Sequence, residues 1–171
     1  VFGEPWVPPV SDGSGSDRNL LRRANDLLLA AGCKRDGARL RLPDGSPFEI
    51  EFLDSQGALR PHTEPFQANL RRLGVESQFR QVDAAQYKRR LDNFDFDIIV
   101  IALGGSLTPG DGLRNIYSST AAKTPGSRNM GGISSPAIDA LVEKIARAKT
   151  REELNIAARA LDRVLRAGRY W

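Results

Sequence analysis

The sequence has very little to offer transition-metal or disulfide chemistry: its 171 residues include one cysteine, Cys33, and one histidine, His62. An internal disulfide is therefore excluded, and so is any metal site built from several cysteines or histidines. Cys33 follows Gly32 at the end of an apolar-periodic stretch and reads as a packed side chain. Long apolar runs are missing too, since a membrane-spanning helix needs about 20 apolar residues in succession. The chain also lacks a concentrated charge of one sign. Its formal net charge is +4, but Arg22-Arg23, Arg71-Arg72 and Lys88-Arg89-Arg90 each lie on a predicted amphipathic helix with acidic residues nearby. No basic stripe interleaved with aromatics emerges, so solvated helix faces account for the charge better than a nucleic-acid surface.

Known catalytic patterns are equally scarce. The stretch Gly105-Ser106-Leu107-Thr108-Pro109-Gly110 follows an apolar run as a phosphate-binding loop would, but Asp111 and Gly112 stand where lysine and serine or threonine are required. An aspartate there repels phosphate, and no G-x-G-x-x-G fingerprint accompanies it. His62 has no G-x-S-x-G nucleophile turn to serve, which leaves it a surface or capping role. Asp92, Asp95 and Asp97 alternate at a helix-to-strand junction, where carboxylates cap and solvate more often than they bind calcium.

What is present is an alternation of periodicities. Residues 1 to 18, rich in proline, glycine and serine, read as an extended connector. Leu20, Leu21, Ala24, Leu27, Leu28 and Ala31 then recur at helical spacing, with Asp17 or Ser16 as N-cap and Gly32 as C-cap. Arg39 to Leu42 and Phe48 to Leu53 flank the turn Pro43-Asp44-Gly45-Ser46 and predict a hairpin, with Phe48, Ile50 and Phe52 on one face and Glu49 and Glu51 on the other. A helix over Pro65 to Leu73 stopped by Gly74, a strand over Val75 to Val82 and a helix over Ala84 to Asn93 follow. Phe96 to Leu103 is an unbroken, β-branched run, read as a strand buried on both faces and central in a mostly parallel sheet. The order β-α-β-α-β predicts an α/β fold with helices on both faces of that sheet.

A short helix over Leu113 to Ser119 and an irregular loop over Ala121 to Ser134 precede two amphipathic helices. Ser135 caps the first, with Pro136 at its opening position and Ile138, Leu141, Val142 and Ile145 inward. Thr150 and Glu153 form a capping box for the second, whose Leu154, Ala157, Ala158, Leu161, Val164 and Leu165 face the core. The start at Val1 and the end at Tyr170-Trp171 suggest a piece excised from a longer protein.

Several stretches together carry a family resemblance. Leu73-Gly74-Val75-Glu76, Val82-Asp83-Ala84-Ala85-Gln86-Tyr87 and Phe94-Asp95-Phe96-Asp97-Ile98-Ile99-Val100 are preceded by Pro9 to Gly15 and Leu20 to Gly32. Pro125-Gly126-Ser127-Arg128-Asn129, Gly132-Ile133, Pro136-Ala137, Asp139-Ala140-Leu141 and Leu161-Asp162 follow. This ordered set resembles the family 5 extracellular solute-binding proteins of ABC importers, most closely the oligopeptide-binding subgroup that includes the microcin C uptake receptors. The resemblance implies a periplasmic-binding-protein type II lobe: residues 1–18 as connector from a missing N-terminal lobe, and residues 19–171 as a truncated C-terminal lobe. It implies a non-enzymatic protein without cofactor, periplasmic or otherwise extracytoplasmic, that captures a peptide-like solute between two lobes and delivers it to a membrane permease. Peptide receptors of this family often place an aspartate just after the glycine that ends the central strand; here no carboxylate appears before Asp111, so that feature does not carry over.

Candidate ligand-binding residues are Gly104, Gly105, Ser106 and Leu107 at the strand end, Ser55 and Gln56 at the end of the earlier strand, and Asn129 in the long loop. The glycines serve equally as a turn, Ser55 and Gln56 as loop solvation, and Asn129 as a turn residue. Tyr87 shares helical spacing with Leu91 and reads as packing. The alternative from another class is a small α/β hydrolase-like enzyme with its site at the same strand ends.

Overall fold

A computed structural model describes residues 7–102, 104 and 109–170. Among these the chain falls into two compact units, the first formed by residues 8–88 and 96–100, the second by Val7, 89–95 and the described part of 101–170.

In the first unit, α1 (Arg18–Ala30) starts where the Asp17 carboxylate accepts the Asn19 and Leu20 amides. The chain turns away after it at Gly32, whose φ of 94° only glycine adopts without strain. Leu21, Ala24 and Leu28 pack inward, whereas Leu27, expected on the same face, is 62% exposed. A short antiparallel hairpin follows, β1 (Lys34–Asp36) with β2 (Arg39–Arg41). The predicted hairpin across Pro43 to Ser46 survives only as a bridge between Arg41 and Pro47, with Leu42 N–H donating to Ser46 O. Beyond it the chain pairs elsewhere: β3 (Glu49–Asp54) lies parallel to β4 (Glu76–Gln81), with Phe52 opposite Phe79.

The connection between these strands is α2 (Arg60–Leu73), one and a half turns longer at its start than expected. Pro61 occupies the first turn, where a missing N–H is harmless, and Pro65 is tolerated within the helix for the loss of one backbone bond. Gly74 ends the helix with φ 84°, and a Cβ there would come within 2.7 Å of Ala38 O. Cys33, Leu40, Phe52, Leu70, Leu73 and Val75 form the core of this unit.

The segment from Phe96 to Ala102 is not the buried central strand that its composition predicts. Only Ile98 joins the ladder, its N–H donating to Glu51 O at 3.0 Å and its carbonyl accepting from Leu53 N–H at 2.9 Å. The Asp97 carboxylate takes the Glu51 amide at 2.8 Å, where a backbone carbonyl would have continued the pairing. The central position therefore belongs to β3, between β4 and Ile98, and Val100 is 60% exposed. An unbroken apolar run records the absence of polar residues, not the presence of a covering layer. Leu103 lies outside the described residues.

The helix α3 (Ala84–Asp92) ends close to its predicted boundary. In the second unit, α4 (Gly112–Tyr117) and a single 3-10 turn (Ala121–Lys123) lead through the long loop to α5 (Pro136–Ala146) and α6 (Arg151–Gly168). Ile133, Ile138, Val142 and Ile145 pack against Ala157, Leu161 and Leu165, the faces that helical periodicity selected. The capping box of α6 is displaced by one residue: Thr150 Oγ1 accepts from Glu153 N–H, while the Glu153 carboxylate accepts from Lys149 N–H.

Candidate functional site

The carboxyl ends of parallel strands leave backbone groups and loop side chains facing solvent on one edge of a sheet. In the first unit those ends are Asp54 of β3, Gln81 of β4 and the segment after Ile98. Val82 N–H donates to Asp54 O at 2.9 Å, so the two strands stay paired to their last residues. A tight turn, Ser55-Gln56-Gly57, then leads to α2. It is closed by the Gly57 amide, which donates to Asp54 Oδ2 at 2.7 Å. Gly57 has φ 73°, and a Cβ there would lie 2.8 Å from the Gln81 amide oxygen, so both backbone conformation and space demand glycine.

A shallow depression lies at these ends, its enclosed volume only about 10 Å³, room for a single water. Phe52, Leu53 and Asp54 of β3 line it together with Leu59 and Thr63 at the start of α2, Phe79 of β4, and Ile98 to Val100. Its walls are apolar, and Asp54 is the one ionisable residue in the lining. Thr63 is 8% exposed and spends its hydroxyl on Leu59 O at 3.0 Å. The Arg60 guanidinium rests 4.6 Å from the centre of the Phe79 ring, a cation–π contact that holds it against that aromatic face. Burial pushes the Tyr87 phenol above its ordinary value, and the negative charge of Asp54 pushes it further, so Tyr87 is a neutral hydroxyl at physiological pH.

Of the predicted residues, Ser55 and Gln56 lie in this turn, half-buried and exposed respectively. Gly104 is exposed, with nothing near the position of a Cβ. Gly105, Ser106 and Leu107 lie outside the described residues. Asn129, in the second unit, is 1% exposed, and its side chain binds the loop it sits in: Nδ2 donates to Ser118 O at 3.0 Å and Ile133 O at 2.8 Å, and Oδ1 accepts from Ile133 N–H at 2.8 Å. That is the turn-residue alternative in structural terms. The sequence reading did not single out Asp54, Leu59, Thr63 or Phe79, and it assigned Tyr87 to packing. The signal for the first four was available in the parallel pairing, which brings the ends of β3 and β4 and the start of α2 to one edge.

The carboxylates near the other predicted loop are committed. Arg114 of α4 holds Glu143 of α5 through two bonds of 2.5 and 2.9 Å and also bonds Asp111, the first acid after the glycines. The Arg114 contact holds the Glu143 carboxyl below its ordinary range. Asp95 pairs with Arg90 at 2.9 Å. Among the described residues no group of three or more histidine, cysteine or acidic side chains is arranged to hold a metal ion.

Comparison with known proteins gives a consistent answer. The family model for bacterial extracellular solute-binding proteins, family 5 (Middle), matches residues 2–125. A putative binding protein of Brucella melitensis is 40% identical over 172 residues, which cover 100% of this chain and 28% of the relative. A probable peptide-binding protein, YejA, of Agrobacterium fabrum is 37% identical over 171 residues, 99% of this chain and 28% of the relative. The chain thus spans little more than a quarter of the length of these curated relatives. Among solved structures, the oligopeptide-binding protein AppA of Bacillus subtilis with a bound nonapeptide superposes with a TM-score of 0.74 at 20% identity, over 87% of this chain and 30% of that one. MelB of Agrobacterium fabrum, in complex with stachyose, gives 0.70 at 19% identity, over 96% and 28%. At such identities the two structures speak for the fold alone.

Proposed function

The chain belongs to family 5 of the bacterial extracellular solute-binding proteins, and from that premise we propose that it is the C-terminal-lobe part of a two-lobed receptor that captures a peptide-like solute and delivers it to an ABC permease. The fold is that of a periplasmic-binding-protein type II lobe, and the family is one of binding proteins, not enzymes. The observation that carries the proposal is the edge where β3 and β4 end: an open, apolar depression bordered by a tight turn. Such an edge supplies contacts to one side of a solute. A second lobe closing over it would bury the other side, and the solute would shift the population toward the closed state by its higher affinity for it.

Peptide is the solute class favoured by the relative named as a probable peptide-binding protein and by the nonapeptide complex of the fold neighbour. Within the family we assign the chain to the oligopeptide-binding subgroup that includes microcin C uptake receptors, with the intact protein exported to the periplasm. The candidate ligand contacts remain Ser55 and Gln56 in the first unit and, taken by themselves, Gly104 and Asn129 in the second; Gly105, Ser106 and Leu107 stay candidates outside the described residues. The test is native mass spectrometry of the intact receptor and of this chain, each mixed with a short-peptide library. Peptide retained by the intact protein and not by the chain alone supports the reading. A sugar or other small molecule retained in place of peptide leaves the receptor fold standing and overturns the solute assignment.

A further inference from the structure

The helical pair of the second unit leaves a groove that no described residue fills. Its volume is about 480 Å³, against about 10 Å³ at the strand ends, and it runs between the last turns of α5 and the first half of α6. Leu141, Ala157 and Ala160 form its floor, and Ile156 stands at its lip, 64% exposed. Along α6, Glu153, Ile156, Ala160 and Arg163 follow at spacings of three, four and three residues, so they share one face. The order on that face is acid, large apolar, small apolar, base. Both charges are open. Glu153 Oε2 accepts the Lys149 amide at 2.9 Å, and its other oxygen accepts nothing among the described residues. Arg163 has no bonded partner among them, since its neighbour Asp162 is held by Arg166 at 2.9 Å.

We propose that the occupant of the groove is α6 of a second copy of this chain, the two helices running antiparallel about a twofold axis at the level of Ala158. The pattern is its own complement when reversed. Glu153 of each copy meets Arg163 of the other, and Ile156 of each enters the space over Ala160 of the other, every pairing being made twice as an isologous contact requires. The two α5–α6 hairpins then pack as a four-helix arrangement. Glu143, at the Glu153 end of the groove, is already taken by Arg114, so Glu153 is the carboxylate that receives the incoming arginine. Lys144 and Arg147 line the same end, where the second α6 brings its C-terminal carbonyls, which favour cations. Roughly three turns of α6 are in contact, which places the association in the weak, reversible class. The pairing does not depend on which solute the receptor takes.

Sedimentation equilibrium of the intact receptor, from micromolar to millimolar concentration, tests this in wild type, Ile156→Ser, Arg163→Glu and Glu153→Lys. In wild type the average mass should rise with concentration toward that of two copies. Ile156→Ser removes two isoleucines from the contact and should weaken association roughly tenfold or more. The melting temperature of the dilute protein should stay unchanged, because that side chain is already open to solvent. Thr150 accepts from the Glu153 backbone, so the helix start survives Glu153→Lys. Arg163→Glu and Glu153→Lys each set like charges face to face twice and should weaken association; mixed in equal amounts, they regain two opposite-charge pairs and should associate as wild type does. A receptor monomeric at every concentration, as when another of its segments already covers the groove, overturns the proposal. So does a dimer indifferent to Ile156→Ser, or a mixture that associates no better than the two charge variants apart.

Discussion

The two units of this chain differ in what they leave at their loops and edges. In the second unit, Ile133 and Ile138 are fully buried, and Asn129 ties the loop leading to α5 together, its amide meeting the Ile133 N–H and carbonyl and the Ser118 carbonyl at the end of α4. Arg114 spans α4 and α5 and neutralises the acids around it. The first unit has a comparable core around Phe52, Leu70 and Val75, yet apolar surface stays open: Val100 at the sheet edge is 60% exposed and Phe66 of α2 is 52% exposed. A region that satisfies itself is built for stability. A region that leaves apolar side chains open at the end of its sheet has contacts in reserve for something else.

Substitutions separate these two characters. The largest loss of stability is expected in the helical core of the second unit: Leu161→Ala, at a 5% exposed position, should cost about 2–5 kcal/mol in a urea titration, with solute affinity unchanged in whatever protein remains folded. Asn129→Ala strips the partner from the buried Ile133 carbonyl and amide, while Ser118 O keeps the Ala122 N–H, and should cost about 1–3 kcal/mol, the range for a buried group left unsatisfied. If affinity falls while the urea midpoint holds, Asn129 contacts solute and the contrast between the units is drawn in the wrong place.

Gly74→Ala probes the first unit where its backbone is tightest. With φ 84° and Ala38 O 2.7 Å from a new Cβ, it should lose about 1–3 kcal/mol, whereas Gly104→Ala, with nothing near the added methyl, should leave the midpoint in place. Thr150→Ala removes the bond from Glu153 N–H and should cost about 1 kcal/mol. The smallest effect is electrostatic. Arg114 lowers the folded-state pKa of Glu143 below its unfolded value, so the pair's contribution is fully present above the ordinary carboxylate range and is lost as the pH falls through the lowered value. Because the pair is solvent-exposed the change is small, and Glu143→Gln should flatten that acidic limb of the urea midpoint against pH.

The same contrast governs what could be read from the sequence. Leu154, Ala157, Leu161 and Leu165 repeat at helical spacing, and Ser135-Pro136 and Thr150 mark the starts, because helix formation and capping are decided within a few neighbouring residues. Strand placement is decided by partners far along the chain. Ile98 to Leu103 contains every preference of a buried strand, but Asp97 reaches back to Glu51 and the ladder stops after Ile98. Nothing local foretold that. Phe48 to Leu53 was recognised as a strand, but its partner was mistaken: the turn at Pro43 to Ser46 suggested a hairpin, while the main pairing runs parallel to β4 across α2. The site was half legible for the same reason. Ser55 and Gln56 follow from where a strand stops, whereas Asp54, Thr63 and Phe79 become neighbours only once the parallel register is known.

The most direct test of the account is amide hydrogen exchange on the intact receptor with and without its retained solute. Solute binding at the strand ends predicts slowed exchange in residues 54–60 and 98–100, with residues 127–133 unchanged because Asn129 already protects that loop. Protection confined to residues 127–133, or absent from both strand-end segments, would contradict the placement of the site.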